Sequence, residues 1–279
     1  MTRAMECEHH IIQLIRKETN SPVPQIRVFN GNLQKKVKAQ FMLMVCLRGN
    51  VGMDVNMRIP SEYKASVYAR ISEIHACIPG LGGPFDTTTE FFQARFTKVV
   101  FGLPEDKIKE SAGQFADGLM ASASLFKSAI NNTAENISIH NNGVFPLCHG
   151  DFGHNNIIFD DKYRLLGVID WEAAVAGPCE ITGEFPLTLS VVLPALDAPW
   201  NYDEMGIPRD AEDKQNFADR EGYVSIVTQI ANEQGLMKGY TLSSALKDCK
   251  RQYLATAMRL YQSGKPGWYS NVVESFTGQ

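Results

Sequence analysis

The sequence predicts an α+β fold whose larger part is mainly helical. Three observations carry this reading. Strand-like segments are confined to the first fifty residues and to a stretch near 157–169. Apolar residues recur at helical spacing between and after them, and helical patterning dominates beyond residue 172.

Residues 5–18 read as a helix with Ile11, Ile12 and Ile15 on one side, ending before Pro22 and Pro24. Two strand-like segments follow at 25–30 and 39–47, joined by a Gly-Asn turn and a lysine cluster. The second ends at Arg48-Gly49-Asn50, which reads as a chain reversal. After Pro60 and a cap at Ser61, Val67, Ile71, Ile74 and Ile78 mark an amphipathic helix. The glycine-rich run at 79–85 lacks the GK[ST] ending of a phosphate cradle and follows a helix rather than a strand, so a helix-terminating loop is expected there. Residues 105–131 read as one helix, with Ile108, Phe115, Leu119, Phe126 and Ile130 in register. A last strong helix is expected around 243–262, after an acidic loop near 197–213.

A chain of 279 residues that is 44% hydrophobic can bury a sizeable core in one large domain or two lobes. A net charge of −4, with lysines and arginines scattered, argues against nucleic acid as a partner. No apolar run approaches the roughly 20 residues that span a bilayer, and residues 1–10 lack the apolar core of a secretory signal. The six cysteines include no CxxC pair, which reads as free buried thiols in a reducing, cytoplasmic compartment.

The chemistry concentrates in "LCHGDFGHNNIIFDDKYRLLGVIDWE", residues 147–172. Ile157–Phe159 and Leu165–Ile169 are short apolar strands around a polar turn. Folding that hairpin about residues 162–163 brings Asn156 and Asp170 together at its open end, with Asp151 five residues upstream of Asn156. An Asp–Asn pair suits magnesium, which takes oxygen ligands and completes its shell with water and substrate phosphates. A further carboxylate can orient a hydroxyl and accept its proton. For any one of these residues a turn or cap role is the commoner reading; the four together at this spacing favour a site. His149 alone reads as a histidine that fixes the loop by hydrogen bonding, and His154 as a loop residue.

"HGDFGHNN" followed by "VIDWE" resembles the aminoglycoside phosphotransferase family, which is related to choline kinases and, more distantly, protein kinases. The wider run from Phe145 to Pro178, with 197–204 and 250–261, looks especially like fungal members. The resemblance implies a protein-kinase-like two-lobe fold and an ATP- and Mg²⁺-dependent kinase acting on a small-molecule hydroxyl. It places Asp151 as the base or hydroxyl-orienting group, with His149 in the same catalytic loop. Asn156 and Asp170 fall on the magnesium ligands, backbone groups of Met44, Val45 and Cys46 on the adenine hinge, and Glu8 on the helix glutamate that pairs with a strand lysine.

This sequence departs from the pattern before Glu8. That lysine and its glycine-rich hairpin belong there, yet only seven residues precede Glu8, where three strands would need roughly twenty. The expectation is an incomplete small lobe over residues 1–48 and a large lobe over 49–279. Two readings follow: a phosphotransferase weakened by the missing strands, or a non-catalytic relative that binds ligand or partner through the large lobe. A metal-dependent hydrolase using His149 and Asp151 ranks last.

Overall fold

The computed structural model describes residues 2–34, 37–52, 54, 58–76, 80–81, 85–98, 101, 104–142, 145–235, 241–265 and 267–276. Helix α1 (Thr2–Glu18) leads into an antiparallel pair, β1 (Ile26–Asn30) and β2 (Phe41–Met44). β3 (Asn50–Val51) is followed by α2 (Ser61–Ala76), β4 (Gly80–Leu81), α3 (Thr88–Lys98), α4 (Glu105–Ala112) and α5 (Ala116–Ile137). The middle of the chain supplies β5 (Phe145–Cys148), β6 (Ile157–Phe159), β7 (Leu165–Val168) and β8 (Val175–Ala176). Helices α6 (Cys179–Thr182), α7 (Ala211–Glu233), α8 (Leu242–Lys247), α9 (Cys249–Gln262) and α10 (Tyr269–Glu274) complete it.

The expected mixture of strands and helices is present, with strands early and central. Three small antiparallel sheets form: β1–β2, β3–β6–β7 and β4–β5–β8. Strand β5 links two apolar clusters. Leu147 packs in one with Ile12 and Ile15 of α1, Ile71 of α2, Trp171 and Tyr223 of α7. Phe145 packs in the other with Phe92 of α3, Phe126 of α5, Leu254 of α9 and Tyr269 of α10. A strand buried from both clusters is a firm base for whatever its C-terminal end carries.

Several local expectations change. The helix expected over 105–131 is two, because Gly113 at φ +52° opens a short 3-10 turn over Gly113–Phe115 and leaves Phe115 exposed. Glycine alone takes that backbone region without strain. The final helix is likewise divided: Asp248 leaves helical geometry and its carboxylate accepts the Arg251 N–H, capping α9. In the glycine-rich run, Gly80–Leu81 pairs with Phe145 and Pro146 as a strand instead of a loop; residues 79 and 82–84 lie outside the described residues, as does Ile78. β2 stops at Met44, and the segment 48–50 feeds β3 rather than simply reversing. After residue 172 the chain to 209 is largely turns, and helix dominates only from α7.

Five cysteines are free, but Cys7, Cys46 and Cys249 are exposed rather than buried; Cys77 lies outside the described residues. Among the described residues, no helix is long and apolar enough to cross a membrane.

Candidate active site

Strand β5 delivers His149, Gly150 and Asp151 into a loop. Gly150 sits at φ +82°, and a Cβ there would stand 2.2 Å from the Ala173 carbonyl oxygen. Only glycine permits this close crossing. His149 is 1% exposed. Its Nε2 lies 2.8 Å from the Ile169 carbonyl, which only accepts, so Nε2 carries the proton. Nδ1 then accepts the Asp151 backbone N–H over 3.4 Å. Burial pushes the imidazole below its ordinary value, opposed by the Ile169 carbonyl and by Asp151 and Asp170. The ring lies 4.4 Å from that of Trp171.

Asp151 is half-buried. Its Oδ2 accepts from Asn156 Nδ2 at 2.8 Å and Asn155 Nδ2 at 3.0 Å. Asn156, itself buried, also donates to the Asp151 carbonyl at 2.8 Å. The carboxamide is thereby oriented through its nitrogen, which leaves its oxygen as the group available to a cation. On the facing strand, the Ile169 N–H donates to the Asn156 carbonyl at 2.9 Å, and Ile157 pairs with Val168. These bonds set Asn156 and Asp170 at the same mouth of the β6–β7 hairpin, as the sequence pattern requires.

Asp170 has φ 63° and ψ 60°, is exposed, and makes no hydrogen bond or ion pair among the described residues. A non-glycine residue held there costs on the order of 1–3 kcal/mol, a cost concentrated at functional sites. Glu8 approaches from α1. The Trp171 backbone N–H reaches its carboxylate, while burial first, then Asp170 and Glu172, push its pKa up. Glu8 has no cation within ion-pair distance among the described residues.

His149, Asp151, Asn156, Asp170 and Glu8 are therefore brought together. Met44, Val45 and Cys46 lie exposed at the end of β2, where the Val45 N–H donates to Gln25 O. No hydrogen bond among the described residues joins them to the hairpin mouth. The donor set of one carboxamide oxygen and one uncommitted carboxylate beside a second carboxylate fits a hard cation that keeps water and phosphate ligands. Among the described residues, no group of three or more His, Cys, Asp or Glu is placed to hold a metal.

Sequence reasoning missed His154. It is buried, its N–H and Nδ1 both meet Thr188 Oγ1 at 3.0 Å, and its carbonyl accepts the Gly52 N–H. It ties the loop to Thr188 and Gly52, both distant in sequence, which no local pattern signals. The acidic loop is better understood too. Asp197, Asp203 and Asp210 spend their carboxylates on local turns and on the cap of α7.

The fold resembles that of a provisionally named aminoglycoside phosphotransferase from Ralstonia eutropha (TM-score 0.57, 14% identity, covering 98% of this chain and 83% of that one). A thermostable mutant of aminoglycoside phosphotransferase APH(4)-Ia aligns over 98% of this chain and 85% of its own, at 15% identity and TM-score 0.47. No curated protein matches. The first of these likenesses, at TM-score 0.57, establishes the kinase-like aminoglycoside phosphotransferase fold. The model of the APH phosphotransferase enzyme family matches residues 2–180, which includes the whole hairpin site. The chain belongs to the APH phosphotransferase enzyme family.

Proposed function

We propose that this chain transfers the γ-phosphoryl group of ATP to a hydroxyl of a small molecule. The observation that carries the reading is the closure of the hairpin mouth by Ile169 N–H to Asn156 O and His149 Nε2 to Ile169 O, which holds Asp151, Asn156 and Asp170 in one frame. Asp151 orients the acceptor hydroxyl and takes its proton as the oxygen–phosphorus bond forms and the β–γ bridge breaks. Asn156 and Asp170 hold magnesium, which neutralises charge on the phosphates when bound. His149 is a positioning residue, neutral and engaged with backbone at both nitrogens. Backbone groups of Met44 to Cys46 meet the adenine. Five free thiols fit a reducing cytoplasmic compartment.

A second reading, ligand binding without turnover, is favoured by Glu8. Its carboxylate has no cationic partner among the described residues. It stands against Asp170 instead.

Calorimetric titration with ATP, with and without magnesium, tests the metal half of the site. Magnesium-dependent binding abolished by Asp170→Ala is expected. Turnover against a panel of amino alcohols, sugars and aminoglycosides, lost in Asp151→Asn with binding retained, separates kinase from non-catalytic relative. A folded chain that binds no ATP would sink both nucleotide readings.

A further inference from the structure

Away from the hairpin mouth, helices α7, α8 and α9 enclose a cleft of about 560 Å³ with the loop around Met205. Ligand pockets typically span about 300–1,000 Å³. None of the cleft's lining residues belongs to the site described above. Its walls are apolar: Phe185, Leu193, Phe217, Val224, Leu246 and Tyr253. The loop wall is ordered by its own bonds, since Asp203 Oδ1 accepts the N–H groups of Met205 and Ile207, and Gly206 takes the left-handed turn at φ +74°.

Among these walls stands Arg220. It occupies the same face of α7 as Phe217 and Val224, three residues after one and four before the other. Its guanidinium lies 4.6 Å from the Phe185 ring centroid and 5.9 Å from that of Phe217. Nε donates to Leu189 O at 2.9 Å and one terminal nitrogen to Val191 O at 3.5 Å. The other terminal nitrogen, Nη1, makes no hydrogen bond among the described residues, and no carboxylate there lies within ion-pair distance of the side chain.

Arg220 is half-buried, and a cation that loses part of its hydration gains from an anion placed against it. Burial indeed pulls the Arg220 guanidinium down to about 10, with Glu184 opposing that and Arg259 adding to it, so it stays charged at neutral pH. Aromatic faces recover part of the cost, and Glu184 and Asp213 act on the charge only from beyond ion-pair distance. Gln252, a buried polar group among the walls, spends its Nε2 on Gly183 O and Ala245 O. Glu221 and Lys247 line the cleft from exposed positions.

We infer that this cleft is a ligand site for a small amphipathic monocarboxylate, whose charge meets Arg220 and whose apolar body lies against Phe217, Val224 and Leu193. One free guanidinium nitrogen matches one carboxylate oxygen. A phosphate or sulfate, with more oxygens to satisfy, finds too few donors. An amine is repelled, and a neutral apolar molecule leaves the guanidinium unpaired. The inference does not depend on the role of Asp151 or on nucleotide binding.

The test titrates the full chain with octanoate, octanol and octylamine in a calorimeter, alongside the Arg220→Gln and Ser225→Trp variants. Ser225 is an exposed residue lining the cleft, so a tryptophan there fills its mouth without entering the core. Octanoate should bind at least about tenfold more tightly than octanol, the difference expected of one charge-assisted hydrogen bond, with octylamine weakest. Arg220→Gln should bring octanoate down to octanol and leave octanol unchanged, and Ser225→Trp should remove both. Equal affinity for octanoate and octanol, no binding of either, or octanoate binding untouched by Ser225→Trp overturns the inference. That last arm holds even if Arg220→Gln fails to fold, because Arg220 also bonds the 189–191 backbone.

Discussion

Gly150 and Glu8 show how much of the site rests on single residues. At Gly150 a methyl group meets both the left-handed backbone and the Ala173 carbonyl. Gly150→Ala should therefore lower stability by about 2 kcal/mol, seen as a fall in the urea midpoint, and displace Asp151 with it. Glu8 adds a pH signature. Its folded carboxyl titrates above the ordinary 4.5, so the native state holds the proton more tightly than the unfolded chain. Stability must then fall as pH rises from that ordinary value through the raised one. Glu8→Gln removes this dependence. Urea midpoints should show the variant gaining on the parent chain as pH rises above the ordinary 4.5; a constant difference there would mean that neither burial nor Asp170 acts on Glu8. Neither position announced its geometry in the sequence. Gly150 lies inside a recognisable motif, but the Ala173 carbonyl that requires glycine arrives from beyond the second strand. Glu8 was placed by resemblance alone, and its contact with Trp171 spans more than 160 residues.

Between elements, the contact of α2 with α7 carries two polar links across the larger core. His75 of α2 meets the Tyr223 hydroxyl at 3.1 Å, and burial pushes its imidazole down to about 4, partly offset by the Thr182 carbonyl. The unfolded chain, with an ordinary value of 6.5, binds the proton first as pH falls. Stability is thus complete above 6.5 and is lost as pH drops toward about 4. His75→Gln should flatten that acid limb in thermal melts; an unchanged slope would place the acid sensitivity elsewhere. Asp219 of α7 accepts from Lys64 at 2.6 Å, Tyr68 at 3.2 Å and Gln215 at 2.7 Å. Asp219→Ala should cost about 2 kcal/mol, since the ion pair is only partly shielded and two neutral donors lose their acceptor. Helix α2 itself was legible from Val67, Ile71 and Ile74, because its apolar period is local. The breaks at Gly113 and Asp248 were not, because each follows from one residue's backbone state inside an otherwise helical pattern. The hairpin was the most legible element: its turn, its strands and its polar ends lie within 26 residues, and pairing alone decides what meets.

At the scale of the whole molecule, the β1–β2 pair leaves one apolar face uncovered among the described residues. Phe29 stacks on His9 of α1 at 4.2 Å, and Met42, its cross-strand partner, packs against the core. The opposite face carries Val28 and Leu43, also directly across from each other, at 46% and 55% exposure. Two paired apolar side chains thus stand in water, with Met44 and Val45 exposed beside them. Such a face should bind a hydrophobic dye in the native state. Because the two side chains contribute little to either apolar cluster, Val28→Thr with Leu43→Thr keeps strand propensity and should leave the melting temperature within a few degrees of the parent. Dye fluorescence should fall by roughly half or more, as this uncovered apolar pair becomes polar. Full dye binding in the double variant would locate the exposed surface elsewhere. A parent chain that binds no dye would mean that this face is covered in solution, and sedimentation of the same sample would then show whether a second copy covers it.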